Sequence, residues 1–409
     1  MHIHRFFDLK ETTPSVVVVG VLDGVHRGHE ALLAQAVQMA QAVQPAQSPI
    51  ARAAEDTTAG MAPSGDQVPI AQVLVLTFER HPRAAIFGET VPMLVSPEER
   101  VSRILTACKD ATDIPAAREN APDVLASSEA APIAIEGCED PPAVLTAHEN
   151  GPTVQVRVLA CEKDLFALTA QAFLEELYAR VNLVGMVCGT SHTFGAERVT
   201  HASDAARTDE VTRVKPPSPV VAGTAQNTGN PQRLQAWAEA RGLAFACVPP
   251  VTFGGEAISS SRIRRAVAQG QMAQVKAMLG QDFSYIGAVV PGEGIARQFG
   301  RPTINLVLDP ERVQPQNGVY AGFAELKGRA YPAVINVGNG PTFGDARPRR
   351  MEAHLLQPAP EKLPPQMTLR FVEKIRDEQR FATPKDLFEQ VARDVAVAER
   401  MLREASLWA

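Results

Sequence analysis

The chain has 409 residues, 45% of them hydrophobic, and 40 Lys plus Arg against 46 Asp plus Glu give a net charge of -6. At roughly 150 residues per domain this length predicts about two or three domains. The apolar fraction is too high for wholesale disorder, and mild acidity argues against a dedicated nucleic-acid binder, which would carry a basic domain. The longest apolar stretch, Val16 to Leu22, falls short of the ~18 to 20 residues of a membrane helix. The opening MHIHRFFDLK has no apolar signal core, so secretion is not expected. The five cysteines are scattered without CxxC spacing, which disfavours a disulfide framework and a zinc site. These observations leave a cytoplasmic, water-soluble enzyme as the expectation.

In chain order, Ser15 to Gly20 (SVVVVG) reads as a buried strand, and His29 to Ala40 carries apolar residues at helical spacing. Val73 to Phe78 is a second strand. Pro97 to Cys108 is a helix with Ser96 as N-cap and Glu98 and Glu99 in its first turn. Val154 to Leu159 alternates like a strand, Thr169 to Val181 is helical, and Leu183 to Cys188 is a strand. Pro231 to Arg241 is a helix stopped by Gly242, and Leu243 to Val248 is a strand. This βαβα order predicts an α/β fold with a parallel sheet, helices on both faces and ligands at the carboxyl ends of the strands.

Three stretches, roughly Ala42 to Pro69, Ala111 to Thr153 and Thr200 to Asn230, contain no Phe, Trp or Tyr. Segments that cannot bury large apolar groups do not offset chain entropy. They are expected to be disordered surface insertions, although one could fold as a small surface helix. From about Tyr285 the text changes to short β-like runs separated by Gly and Pro turns: Gly287 to Val290, Thr303 to Leu308, Gly318 to Leu326, Pro332 to Val337, Met351 to Leu356 and Thr368 to Ile375. That spacing predicts a small β-barrel or sandwich, closed by a helix over Thr383 to Glu404. The boundary is placed where a helix stops at Leu279-Gly280, giving domains 1–278 and 279–409.

Four clusters could carry chemistry. The loop Gly20 to His29 (GVLDGVHRGH) flanks an Asp with glycines and sets two histidines three apart where a helix begins. Helix N-terminal amides favour anions, and imidazoles there can donate to phosphate oxygens. A structural turn with two surface histidines fits the same residues. In Ile258 to Arg264 (ISSSRIR), Ser259 or Ser260 caps a helix whose first turn carries Arg262 and Arg264. Cations there oppose the helix dipole. A bound phosphate explains them, as does a plain cap with solvated arginines. In Gly300 to Leu306 (GRPTINL), Thr303 and Asn305 share one side of a strand. Their oxygens suit Mg²⁺ held together with nucleotide phosphates, or form a polar strand edge. In MEAHLL, alternation places Glu352 and His354 on one face. On the inner face of a barrel, Glu352 could act as general base for an alcohol; on the outer face it would be an exposed Glu.

Taken in order, these strings resemble the prokaryotic bifunctional riboflavin kinase/FAD synthetase family. LTFERHPR (Leu76 to Arg83), GVYAG (Gly318 to Gly322), NVGNGPTFG (Asn336 to Gly344) and KIRDEQRF (Lys374 to Phe381) extend the likeness over both expected domains. The resemblance implies an N-terminal nucleotidylyltransferase-type Rossmann-like sheet that transfers AMP from ATP to FMN, giving FAD and pyrophosphate. It implies a C-terminal antiparallel barrel with a terminal helix that phosphorylates riboflavin from ATP. By likeness, His26 and His29 are the catalytic histidine pair. Asp23, Gly24, Ser260, Ser261 and Arg264 bind ATP phosphates. Gly292, Arg297 and Gly300 shape the kinase phosphate region, Thr303 and Asn305 hold Mg²⁺, and Glu352 is the kinase base. The implied partners are riboflavin, FMN and ATP, with neither nucleic acid nor membrane, in a monomer or weak homo-oligomer.

The chain departs from the family at Leu22 (Phe usual), at Ser191, His192 and Thr193 in GTSHTFG (Gly189 to Gly195), and at Ala257, where Arg is frequent. In the kinase half, Pro291, Ala296, Arg301 and the segment Lys362 to Gln366 differ, while Thr303, Asn305 and Glu352 are intact. Two readings stay open: a complete bifunctional enzyme, or a riboflavin kinase with a degenerate, inactive adenylyltransferase domain. The intact triplet speaks against a third, a non-catalytic flavin- or nucleotide-binding module.

Overall fold

The computed structural model describes residues 1–43, 70–112, 143–145, 151–194, 229–290, 303–338, 349–360 and 362–405. The N-terminal half forms one sheet from β1 (Ile3–His4), β2 (Glu11–Val19), β3 (Gln72–Phe78), β4 (Ala143–Leu145), β5 (Val154–Leu159), β6 (Val181–Gly189) and β7 (Ala244–Val248). Its order is β1-β5-β3-β2-β6-β7, with β4 added against β5. Every pairing along that path is parallel, and only β4 runs antiparallel. β2 sits between β3 and β6, so successive strands leave it in opposite directions. The carboxyl end of β2 is thus the switch point of a doubly wound sheet, where such folds bind ligands.

The strand sequences explain their positions. QVLVLTF in β3 is buried along its whole length, as a parallel strand covered on both faces must be. The covering helices are α1 (Arg27–Ala42), α2 (Pro82–Phe87), α3 (Pro97–Thr112), α4 (Lys163–Phe166), α5 (Ala170–Arg180) and α6 (Pro231–Glu239). One face packs Leu33, Val37 and Ala40 of α1 and Ile104 and Cys108 of α3 against Val16, Val73 and Val187. The other packs Leu174 and Leu177 of α5 and Trp237 of α6 against Val17, Leu74 and Leu183. Caps lie where side chains can reach orphan amides: the Glu99 amide donates to Ser96 Oγ (3.2 Å), the Ala172 amide to Thr169 Oγ1 (3.2 Å) and the Arg233 amide to Asn230 Oδ1 (2.9 Å).

A two-stranded hairpin, β8 (Thr252–Phe253) and β9 (Glu256–Ala257), precedes helices α7 (Ser260–Ala268) and α8 (Met272–Leu279). The chain then enters β10 (Phe283–Val290), β11 (Thr303–Leu306), β12 (Gly318–Leu326), β13 (Arg329–Gly338), β14 (Arg350–Leu355) and β15 (Gln366–Arg376). These close a barrel in the order β10-β11-β14-β13-β12-β15, and every pairing is antiparallel. Its interior is filled by Tyr285, Ile304, Leu306, Tyr320, Ile335, Met351, Ala353, Leu369 and Phe371. The same apolar cluster runs on through Ile263, Val267, Val275 and Leu279 of α7 and α8 to Leu94 and Val95. Helix α9 (Pro384–Glu404) lays Ala398 and Leu402 on the outer patch Val319, Ala321, Phe323 and Val334. Arg376 locks it down by gripping the buried Asp394 carboxylate (2.7 and 2.9 Å).

Ala143–Leu145 lies inside the second expected insertion, yet pairs with β5, so at those residues disorder is the wrong description. The rest of the three insertions lies almost wholly outside the described residues. The short elements α2, α4, β1, β8 and β9 were not anticipated: each is too short for periodicity to register.

Candidate active sites

The loop after β2 is built for close approach at the switch point. Leu22 and Val25 take left-handed backbone (φ 49° and 46°), rare for any residue with a branched side chain, and Gly24 lies between them at φ 81°. A Cβ on Gly24 would meet Leu94 Cδ1 at 2.8 Å and Leu279 Cδ2 at 3.2 Å. The glycine is therefore required by its conformation and by the packing of the loop on Leu94 and α8. The loop delivers His26 to the N-cap of α1, where its Nδ1 accepts from the Gly28 amide (3.2 Å). His29 stacks on it, ring centroids 3.7 Å apart and nearly parallel. Burial pushes the His26 imidazole down to about 4. Burial, then the neighbouring His26 and Arg100, hold His29 well below the ordinary imidazole range. Both rings are neutral at pH 7. Since His26 Nδ1 is an acceptor, its single proton sits on Nε2.

Asp23, which the resemblance places among the phosphate-binding residues, is engaged within the protein. Its carboxylate is buried and accepts from the Leu94 amide (2.9 and 3.1 Å) and from the Val95 amide (3.4 Å). It also holds Arg264 Nη2 at 2.7 Å. A carboxylate so engaged does not bind phosphate; it anchors the arginine that could. Ser260 Oγ donates to the Asp23 carbonyl (2.9 Å), and Ser261 Oγ accepts weakly from Arg264 Nη1 at 3.5 Å. So Asp23, Gly24, Ser260, Ser261 and Arg264, separated by more than 230 residues in sequence, meet at one point. Ser259 is the N-cap of α7. Arg262 turns away to the hairpin, donating to the Glu256 carbonyl (2.9 Å).

Two participants escaped the sequence reading. Arg100 is fully buried and donates to the carbonyls of Val21 (3.0 Å) and Phe78, tying the α3 start to the ends of β2 and β3. Its signal was legible: a charged residue on the same helical stripe as Ile104 and Cys108. His81 caps α2, accepting from the Arg83 amide (3.2 Å). Burial, then the charge of nearby Arg264, lowers its pKa.

The loop after β6 leaves from the same edge. Thr190 N donates to the Val248 carbonyl (3.2 Å) and His192 N to that of Gly189 (3.0 Å). Ser191 and Thr193 are exposed. Phe194 packs edge-on against Phe173 at 5.5 Å. Gly195 lies outside the described residues.

In the barrel, register settles the second cluster. Asn305 of β11 is directly opposite Glu352 of β14, and Thr303 opposite His354. Asn336 of β13 faces Glu352 from the other side. Directly opposed residues share a face, so Thr303, Asn305, Glu352, His354 and Asn336 form one polar patch. That patch is on the outer face, which decides between the two faces left open for Glu352. Met351, Ala353 and Leu355 alternate with it and point into the packed interior, and a six-stranded barrel is filled by such side chains. Asn305 is nonetheless buried, and its Oδ1 has no hydrogen-bond partner among the described residues. Glu352 is partly exposed, 3.8 Å from Arg350 Nε. Gly292, Arg297 and Gly300 lie outside the described residues.

The two clusters are mechanically joined. Met93 N donates to the Glu311 carbonyl (2.7 Å) and Val313 N to that of Met93 (2.9 Å). Arg312 Nη2 reaches the Leu94 carbonyl (3.0 Å) and Glu99 (3.3 Å). Arg103 links the Gly24 carbonyl (3.2 Å), Glu99 (2.6 Å) and Ser284 of β10 (2.7 Å). The Leu94 amide that holds Asp23 is thus part of a segment pinned to the barrel.

The chain thus joins a doubly wound sheet, with a glycine-containing loop at its switch point, to a closed antiparallel barrel with a carboxylate–carboxamide patch. Residues 279–402 match the riboflavin kinase family and residues 8–48 the FAD synthetase family. Curated relatives are bifunctional riboflavin kinase/FMN adenylyltransferases. That of Pseudomonas fluorescens is 34% identical over 39% of this chain and 51% of its own. That of Escherichia coli K12 is 38% identical over 36% and 46%, and that of Bacillus subtilis 34% over 37% and 49%. The chain spans about half the length of these relatives. A solved structure described as a macrolide-efflux protein from Streptococcus pneumoniae shares the fold, with TM-score 0.65, 22% identity and 97% of both chains covered. The chain is thus similar to the riboflavin kinase family over its barrel, to the FAD synthetase family over the start of its sheet, and to bifunctional riboflavin kinase/FMN adenylyltransferases over part of their length.

Proposed function

We propose that the chain makes both flavin cofactors: residues 279–409 phosphorylate riboflavin to FMN with ATP, and residues 1–278 adenylylate FMN to FAD with release of pyrophosphate. The observation that carries the proposal is the cross-strand juxtaposition of Thr303 and Asn305 with Glu352. In the kinase step Glu352 removes the proton from the ribityl 5′-hydroxyl. The oxygen attacks the γ-phosphorus, and the bond to the β-phosphate oxygen breaks to release ADP. Thr303 Oγ1 and Asn305 Oδ1 are hard oxygen donors. The unpartnered, buried Asn305 Oδ1 fits a cation ligand. Mg²⁺ held there would neutralise charge on the nucleotide phosphates.

In the adenylyl transfer an FMN phosphate oxygen attacks the α-phosphorus of ATP, and pyrophosphate leaves. The α1 N-terminus and the Nε2–H of neutral His26, with His29 stacked beside it, donate to phosphate oxygens as charge builds. Arg264, oriented by Asp23 and Ser261, neutralises the departing pyrophosphate, and Gly24 lets the loop approach. The proposal extends to a cytoplasmic enzyme acting on small molecules, with neither nucleic acid nor membrane as partner, as a monomer or weak homo-oligomer.

A second reading, a riboflavin kinase whose N-terminal module is inactive, is favoured by one observation: Ser191 and Thr193 are short hydroxyl residues, exposed on the loop after β6. The test is a pair of variants. His29→Ala should abolish FAD formation from FMN and spare riboflavin phosphorylation, and Glu352→Gln should do the reverse. Loss of both activities in either variant would refute two independent sites.

A further inference from the structure

Cys188 of β6 and Cys247 of β7 are direct register partners. Two residues back along each strand, Met186 and Phe245 are also partners and lie in one apolar cluster. Side chains two apart on a strand share a face, so the two thiols stand side by side. Paired strands lie about 4.8 Å apart, within the ~4.4 to 6.8 Å that disulfides span between Cα atoms. β7 is the last strand on its side of the sheet, so it can move the small distance that bonding requires. Cys247 is exposed and Cys188 buried. Neither takes part in the chemistry proposed above.

We propose that Cys188 and Cys247 are a thiol-oxidation site, closing a reversible disulfide that clamps β7 to β6 just before the 189–194 loop. The reagent class is a small-molecule disulfide such as oxidised glutathione. The Cys247 thiolate attacks one glutathione sulfur, that S–S bond breaks, and one glutathione thiolate leaves. Cys188 then gives its proton to solvent and attacks Cys247 Sγ, expelling the second glutathione. Two protein thiols lose two electrons and two protons, and one glutathione disulfide becomes two thiols. Burial, reinforced by Cys247, pushes the Cys188 thiol up to about 12. The second step therefore waits on a scarce thiolate and quickens as pH rises.

The test uses the full chain carrying Cys138→Ser, with oxidised glutathione at pH 7 and pH 9, followed by alkylation under denaturing conditions and peptide mapping. The expected result is a Cys188–Cys247 linked peptide pair, forming at least tenfold faster at pH 9, reversed by dithiothreitol and absent from Cys247→Ser. Unchanged circular dichroism after oxidation is also expected. Glutathione retained on Cys247 with Cys188 fully alkylated at both pH values would overturn the proposal. So would a linkage that forms only once urea has unfolded the chain. Neither readout depends on flavin chemistry, so failure here is distinct from failure of the functional assignment.

Discussion

Replacing Asp23 by Ala removes a carboxylate that accepts two backbone amides and an arginine at the base of the switch-point loop. The side chain of Arg264 is only 14% exposed and that of Asp23 1%. Leaving a buried guanidinium without its partner costs ~3 to 5 kcal/mol. Each stranded buried amide adds about 1 to 3 kcal/mol where water cannot enter. Some relaxation of Arg264 toward solvent offsets part of this, so the expected loss is about 4 kcal/mol. Asp23→Asn keeps an acceptor for the Leu94 amide and should lose about half as much. Arg264→Met in the Asp23→Ala background removes the orphaned charge. The double variant should therefore be more stable than the sum of the single losses by about 2 kcal/mol. Urea unfolding followed by far-ultraviolet circular dichroism reads these differences. FMN adenylylation should fall in each variant well before riboflavin phosphorylation does. Strictly additive losses, or an Asp23→Ala cost under about 1 kcal/mol, would refute the view that this carboxylate organises the loop.

Other expectations follow from the same geometry. Gly24→Ala meets both a left-handed backbone and Leu94 Cδ1 at 2.8 Å, so it should lower the melting temperature and adenylyl transfer together; wild-type behaviour would contradict the packing. Asn305→Leu removes a buried, unpartnered carbonyl oxygen. It should leave the melting temperature unchanged or raised while abolishing Mg²⁺-dependent riboflavin phosphorylation; a large fall in stability would show that Asn305 is structural. Between pH 6.5 and 4 the unfolded chain protonates His26 while the fold, holding it at about 4, resists. That stability is complete above pH 6.5 and lost toward pH 4. Glu30, raised by burial to about 7, works the other way and loses stability as pH rises from 4.5 to 7. Glu30→Gln should therefore unmask a steeper fall in melting temperature on acidification; a profile parallel to wild type would contradict it.

The parallel sheet was legible because its buried strands are unbroken apolar runs, as in VLVLTF, and because α1, α3 and α5 repeat apolar residues at helical spacing. The barrel was legible from the rhythm of Gly and Pro turns. What alternation alone left undecided was which face of β14 meets the core. Met351, Ala353 and Leu355 claim the interior by burial, which sends Glu352 outward. The contacts of Asp23 were hidden for another reason. Its partners, the amides of residues 94 and 95 and Arg264, are contributed by distant elements, and one local string cannot show that a carboxylate is already occupied. The thiol pair was invisible for the same reason, since Cys188 and Cys247 become neighbours only when β6 and β7 pair.

The most direct test is product chromatography on the purified chain with Mg²⁺ and ATP, supplied in separate reactions with riboflavin or with FMN. FMN and then FAD should form from riboflavin, and FAD with pyrophosphate from FMN. FMN from riboflavin without FAD in either reaction would leave a kinase beside a silent partner module. No conversion in either reaction would contradict the account as a whole.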